Sequence, residues 1–239
     1  SFRISSSIFP LFEFNRSLAI ADQTLNNRLQ VLGRLFKEHG IRVTTHPGQF
    51  TVLSSDKDSV VQNSIRELEM HAWTFDAMGF EQTAYNAINI HGGKSDRSDK
   101  LIEVINSLPD NVRNRLTLEN DEKCYNVKQL MAIHEKTGVP IVFDTHHFTF
   151  NDDDYDFDRA FDATSSSWGS VKPLQHLSNT EPGNEKAAFN LKRAHSNYIH
   201  YIPARQLQAA RDNTLDIDVE AKYKNLAVIK MRSDFAIEV

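Results

Sequence analysis

Val127-Lys128-Gln129-Leu130-Met131-Ala132-Ile133-His134-Glu135-Lys136-Thr137-Gly138-Val139-Pro140-Ile141-Val142-Phe143-Asp144 holds one helix-to-strand unit of a parallel α/β fold. Val127 to Lys136 has helical periodicity and Gly138 is placed to cap its end. Pro140 to Phe143 is a short apolar run of the length and composition of a buried strand. The run ends in Asp144, with Thr145-His146-His147 directly after it. A carboxylate on the end of a buried strand calls for a chemical explanation, and so directs attention to the ends of the other strands.

The same unit recurs in both directions along the chain. The other candidate strands are Phe2 to Ser5, Arg42 to Thr45, Ala87 to Ile90, Arg115 to Leu118, Leu174 to Leu177 and Leu215 to Val219. Leu25, Leu29, Leu32, Leu35 and Phe36 recur at three- and four-residue spacing before Gly40, and Ser59 to Met78 closes on Gly79. Further helices are expected from Asp99 to Leu108, within Ala187 to Tyr201 and near Tyr223 to Met231. Strands alternating with helices predict an α/β fold, a (β/α) barrel of the TIM type, as one domain over residues 1–239. Seven units are recognisable where a closed barrel has eight, so the first strand is expected upstream of Ser1.

Composition narrows the class. Of 239 residues, 40% are hydrophobic and 25% charged, without a long apolar run, which argues against a membrane span. Cys124 is the single cysteine, and Ser1-Phe2-Arg3-Ile4-Ser5 lacks a signal-peptide pattern; the cytoplasm and a monomer are expected. Asp152-Asp153-Asp154, with Asp156 and Asp158, reads as a solvated acidic loop. A net charge of -5 is unusual for a nucleic-acid binder, but acidic residues that ligate divalent cations do not act as net negative charge.

Six candidate strands carry a metal-type ligand at or near the C-terminal end: His46, His91, Glu119, Asp144, His176 and Glu220. Any one of them alone would be an ordinary polar residue. Parallel strands bring their C-terminal ends to one face, where three histidines and three carboxylates would crowd like charges unless a cation neutralised them. Imidazole and carboxylate without thiolate suit manganese, zinc or iron. Glu119, in the middle of the set, is the candidate bridging ligand of a two-metal centre for phosphoryl chemistry. His147 and His195 are candidates for a neighbouring ion, whereas His39, His71, His134 and His200 read as structural. Lys94, Arg97 and Lys100 after His91, and Lys186, Lys192 and Arg193 before His195, are candidate phosphate contacts.

Phe2-Arg3-Ile4-Ser5-Ser6, His46-Pro47-Gly48-Gln49-Phe50, Ile90-His91-Gly92-Gly93-Lys94, Leu118-Glu119-Asn120-Asp121, Val142-Phe143-Asp144-Thr145-His146-His147 and Asp216-Ile217-Asp218-Val219-Glu220-Ala221-Lys222 together resemble the UV damage endonuclease family over essentially the whole chain. The resemblance implies a barrel enzyme with a manganese-type cluster that nicks damaged double-stranded DNA on the 5′ side of UV photoproducts and some other lesions. It implies that His46, His91 and Glu119 hold one ion, that Glu119, Asp144, His176 and Glu220 surround a second, and that His147 and His195 hold a third. It also implies that Gln49 and Phe50 insert into the duplex at the lesion; without the resemblance, Phe50 reads as an ordinary core residue. The chain departs from the family in three places. The first strand is absent, Leu174 stands where a lysine is common, with Lys172 two positions earlier, and Asn197 stands where an aspartate is expected.

Two rival readings remain at this level. An apurinic-site endonuclease or sugar isomerase of similar architecture also ends its strands in His, Glu and Asp, and a degenerate homologue would bind damaged DNA or a protein partner without cutting.

Overall fold

The computed structural model describes residues 1–151 and 154–237. Asp152 and Asp153 of the acidic run lie outside them. The elements in chain order are β1 (Phe2–Ile4), α1 (Phe12–Ala21), α2 (Gln23–Glu38), β2 (Val43–Thr45), α3 (Asp58–Ala77), β3 (Ile88–His91), α4 (Ser98–Ser107), α5 (Asp110–Arg113), β4 (Leu116–Glu119), α6 (Val127–Thr137), β5 (Ile141–Asp144), α7 (Phe157–Ser166), β6 (Leu174–Leu177), α8 (Phe189–Lys192), α9 (Ala204–Arg211), β7 (Asp216–Val219) and α10 (Lys224–Asp234). The seven strands follow chain order through one parallel sheet, the (β/α) TIM-type fold expected from the alternation.

Strands β3, β4 and β5 run one residue further than their apolar runs suggest, so that His91, Glu119 and Asp144 are their last residues, whereas β1 stops at Ile4, one residue short of the expected Ser5. The pairing accounts for the extension of β5: Asp144 lies in register with His176, which in turn lies in register with Asp218. Candidate ligands are thereby fixed by the backbone ladder, a stiffer mounting than a loop provides.

Helices α1, α5, α7 and α9 lie outside the expected set. Asp156 of the acidic run is an N-cap, its side chain accepting from the Arg159 backbone N–H at 2.8 Å, and Asp154 pairs with Lys128. Between Ala187 and Tyr201 only Phe189–Lys192 is helical.

The residues form two compact units: Ser1–Leu118 with Ile133–Pro140, and Glu119–Ala132 with Ile141–Val239. In the first, Val43, Leu68, Phe75, Ile88, Ile90 and Leu101 are buried. A Cβ on Gly33 of α2 would lie 1.9 Å from the Met78 carbonyl oxygen, so this approach of α2 to the end of α3 admits only glycine. Arg115, fully buried, donates to the carbonyls of Phe80, Glu81 and Asn111 and pairs with Asp76 at 2.8 Å, which offsets the cost of burying its charge. In the second unit Val127, Phe143, Ala160, Phe161 and Leu215 form one apolar cluster, and Leu177, Ile199, Ile202, Ala221, Ala227 and Met231 another. Each fully buried Val, Leu, Ile, Phe or Met side chain contributes about 1.5–3 kcal/mol. Among the described residues, no helix is long and apolar enough to cross a membrane.

Candidate metal centre

The second unit gathers four of the expected ligands. Glu119 ends β4, Asp144 ends β5, His176 lies within β6, and Glu220 follows β7 directly. Each offers a ligand atom within 4.8 Å of the others, and this group of four is buried. His176 Nδ1 lies 3.0 Å from Glu119 Oε1 and 3.6 Å from Glu220 Oε1. Three carboxylates at this spacing, with little water to screen them, repel one another strongly.

Asp144 divides its two oxygens between tasks. Oδ1 accepts the backbone N–H groups of His146 and His147, both at 2.7 Å, while the buried Oδ2 has no hydrogen bond among the described residues. Its strand end is tied to that of β4 by Asn120, which donates to the Asp144 carbonyl and accepts from the Asp144 N–H, both at 2.9 Å. An immobilised carboxylate with an open buried oxygen, beside two more carboxylates and an imidazole, fits a divalent cation of the oxygen- and nitrogen-binding kind. The group can hold a metal ion.

His147 registers the field of this cluster. Burial lowers its pKa, but the carboxylates of Asp144 and Glu119, the backbone hydrogen bond to Asn120 and the charge of Glu122 outweigh burial and raise it to about 9. Nδ1 donates to the Asn120 carbonyl at 3.0 Å, which leaves Nε2, 3.8 Å from Glu122 Oε2, as the atom that could ligate. His195 Nε2 lies 3.6 Å from Glu220 Oε2, and the His147 and His195 rings are 6.4 Å apart. The structure thus brings His147 and His195 beside the four candidate ligands. It also brings in Glu122 and His146, which were not singled out in the sequence: His146 stands next to the candidate His147, and Glu122 follows Glu119 on the loop after β4.

In the first unit, His46 directly follows β2 and His91 ends β3, with ring centroids 5.2 Å apart. His46 Nδ1 donates to the Pro47 carbonyl at 3.0 Å, fixing the tautomer that presents Nε2. The following turn is closed by the Thr51 N–H to the Gly48 carbonyl at 2.9 Å. Glu67 of α3 clamps both ends of that turn, accepting the Gly48 N–H at 3.4 Å and the Thr51 hydroxyl at 2.9 Å. Between the clamped ends Gln49 and Phe50 project outward, and Phe50 is 81% exposed. The reading of Phe50 as core is therefore wrong: the tight turn holds its ring away from the apolar interior.

The candidate cations fall into two sets. Lys94 pairs with Asp56, as does Arg97 at 2.7 Å; Lys100 lies 3.6 Å from Asp58, and Arg193 pairs with Glu122. Hydrogen bonds from Arg97 and Lys94 hold the Asp56 carboxyl well below the usual range, so this small network stays ionised. Lys186 and Lys192 form no ion pair among the described residues. The remaining departures are also placed. Leu174 is fully buried, and Lys172, before the start of β6, is held by Asp216 at the start of β7 at 2.8 Å, away from the ligand ends of these strands. Asn197 donates through its backbone and side-chain N–H groups to Glu181 at 2.6 and 3.2 Å.

Comparison with known proteins agrees with this geometry. The pattern of the family described as UV-endonuclease UvdE matches residues 1–238. A UV DNA damage endonuclease of Nostoc sp. is 40% identical, covering 97% of this chain and 71% of that protein. One from Deinococcus radiodurans is 35% identical, covering 97% and 75%. The crystal structure of SacUVDE superposes with a TM-score of 0.79 at 30% identity, covering 99% of this chain and 81% of that one. Endonuclease IV from Thermus thermophilus, with a TM-score of 0.66 at 15% identity over 100% of this chain and 98% of that one, shares the fold.

Proposed function

The chain belongs to the UV-endonuclease UvdE family, and from that premise we propose that it is a DNA repair endonuclease that nicks double-stranded DNA on the 5′ side of UV photoproducts and other lesions. The observation that carries the reading is the buried group of Glu119, Asp144, His176 and Glu220, with Asp144 Oδ2 open for ligation. Two or three divalent cations, manganese before zinc or iron, belong to this function; when bound they supply an activated water and positive charge for the leaving oxygen.

Glu119 would be the shared ligand: His46 and His91 would hold one ion with it, Asp144, His176 and Glu220 a second, and His147 and His195 a third. The ring N–H bonds of His46 to Pro47 and His147 to Asn120 support these roles, because each holds its ring in one tautomer. Gln49 and Phe50 enter the duplex at the lesion, the amide meeting base edges and the ring stacking in the gap that extruded bases leave. The exposure of Phe50 supports that role, since a ring in water adds little to folding. Lys94 contacts a phosphate by exchanging Asp56 for it.

A second reading, binding without cutting, draws its support from Leu174, buried where the family carries a lysine, with Lys172 engaged by Asp216. One assay separates the two. Purified protein with manganese is offered duplexes carrying a single photoproduct, a single abasic site, or neither. The expected result is a nick immediately 5′ to the photoproduct that is lost in Glu119→Gln. Tight binding without a nick selects the second reading, and cutting at the abasic site alone selects an apurinic-site endonuclease.

A further inference from the structure

A line of aromatic rings leads outward from the candidate metal centre in the second unit. The His195 ring lies 6.3 Å from that of His146, His146 meets Phe150 edge-to-face at 4.9 Å, and Phe150 meets Phe189 edge-to-face at 5.7 Å. Phe189 is 44% exposed, and Leu191 beside it 51%. Two ammonium groups lie over these rings: Lys192 Nζ is 5.5 Å from the Phe150 centroid and Lys123 Nζ 5.5 Å from that of Phe189.

Neither Lys123 nor Lys192 has a carboxylate partner among the described residues, in contrast to Lys94, Arg97, Lys100 and Arg193. A cation over an aromatic face is attracted to the ring but remains a full charge without a counterion. The segment is also held in place. The Thr180 hydroxyl donates to the Lys192 carbonyl at 2.7 Å, His146 Nε2 donates to the Arg193 carbonyl at 3.3 Å, and the Arg193 side chain pairs with Glu122. An exposed ring, backed by a half-buried one and flanked by uncompensated lysines on a fixed backbone, matches a nucleic-acid strand, whose bases stack and whose phosphates pair. It matches a protein partner poorly, because protein interfaces are depleted in lysine.

We propose that Phe189, backed by Phe150 and flanked by Lys123 and Lys192, is a DNA-strand ledge beside the metal centre, with one base stacked on Phe189 and the adjoining phosphates held by the two lysines. The proposal rests on the function proposed above. It adds a binding surface that strand-end ligands and the Gln49-Phe50 turn do not account for, and it moves the main phosphate contacts from Lys94 to Lys123 and Lys192.

The test is binding of a fluorescein-labelled duplex with one photoproduct to the full chain. It is followed by fluorescence anisotropy across a salt series, with calcium in place of manganese to keep the ligands charged. Phe189→Ala is expected to raise Kd roughly tenfold, and Phe189→Trp to bind close to wild type. Replacing Lys123 and Lys192 together by alanine is expected to make the slope of log affinity against log salt shallower by about two. If Phe189→Ala melts early by circular dichroism, the lysine pair reads the same surface independently. Variants that bind like wild type at every salt concentration overturn the ledge. If wild type nicks in manganese and the variants bind normally, the ledge alone falls; if wild type binds without nicking and the variants lose binding, the endonuclease reading alone falls. No duplex binding by wild type removes both.

Discussion

Two buried histidines, one in each unit, titrate in opposite directions. His71, 2% exposed on α3, has its pKa lowered to about 4 by burial, and among the described residues its ring nitrogens keep only a 3.4 Å contact with the Thr45 hydroxyl. His147 is lowered by burial too, yet Asp144, Glu119, the Asn120 carbonyl and Glu122 carry it up to about 9. The contrast separates what the units contribute. The first buries a neutral imidazole, as a core does; the second concentrates negative charge strongly enough to override desolvation, an expensive arrangement unless a cation resides there.

The largest break in this contrast comes from Glu119→Gln, which keeps the shape of the side chain and removes one charge from the buried group. Loss of the shared ligand proposed above is expected to cost several kcal/mol of transition-state stabilisation, about a thousandfold in nicking rate. Stability of the metal-free chain is expected to rise at the same time, because one of three crowded carboxylates is neutralised. Single-turnover nicking in manganese and thermal melts in EDTA measure the two responses. A metal-free variant that melts below wild type would show that these carboxylates are not under mutual repulsion.

His71 tests the other half at a smaller scale. Both states are neutral above the unfolded value of 6.5, so protonation does not bear on stability there; as pH falls toward about 4 the unfolded chain takes the proton first and folding weakens. Between pH 7 and pH 5 the loss is about 2 kcal/mol, read from urea midpoints of the metal-free chain. His71→Gln, which cannot titrate, should flatten that part of the profile; an unchanged acid limb would mean that other groups set it.

The strands, and the candidate ligands at or near the ends of six of them, were legible because both leave periodic or positional marks: a short apolar run, a polar stop, then a glycine-closed helix. The same marks placed His46, His91, Glu119, Asp144, His176 and Glu220. What escaped were residues whose role depends on a distant partner. Nothing local distinguishes Phe50 from a core phenylalanine, since its exposure comes from a turn clamped by Glu67, 17 positions on. Nor does the sequence tell Lys94, tied to Asp56, from Lys123, which lies over Phe189. Helix α1 escaped for another reason: it exposes Phe14 and Leu18, so its apolar residues do not trace the stripe that marks a helix packed on a core.

Glu67 gives the smallest predicted effect and the sharpest version of the comparison between the units. Carboxylates of the second unit converge on one another, whereas this one is spent on the backbone of a turn, holding the Gly48 N–H and the Thr51 hydroxyl so that Gln49 and Phe50 stand outward. Removing it loosens the turn without touching a ligand. Two hydrogen bonds to a charged group at a partly exposed site are worth about 1–2 kcal/mol together after solvent screening, and part of that appears as a turn that must be reordered on binding. Glu67→Ala should therefore raise KM for the photoproduct duplex by roughly fivefold to tenfold, with kcat nearly unchanged. Glu67→Gln, whose single amide oxygen can accept the Gly48 N–H while its NH2 can only donate to the Thr51 hydroxyl oxygen, should recover part of the loss. In a Phe50→Ala background the same substitution should add little, because a loosened turn no longer has a ring to position; full additivity of the two changes would place Glu67 in the general stability of α3 instead.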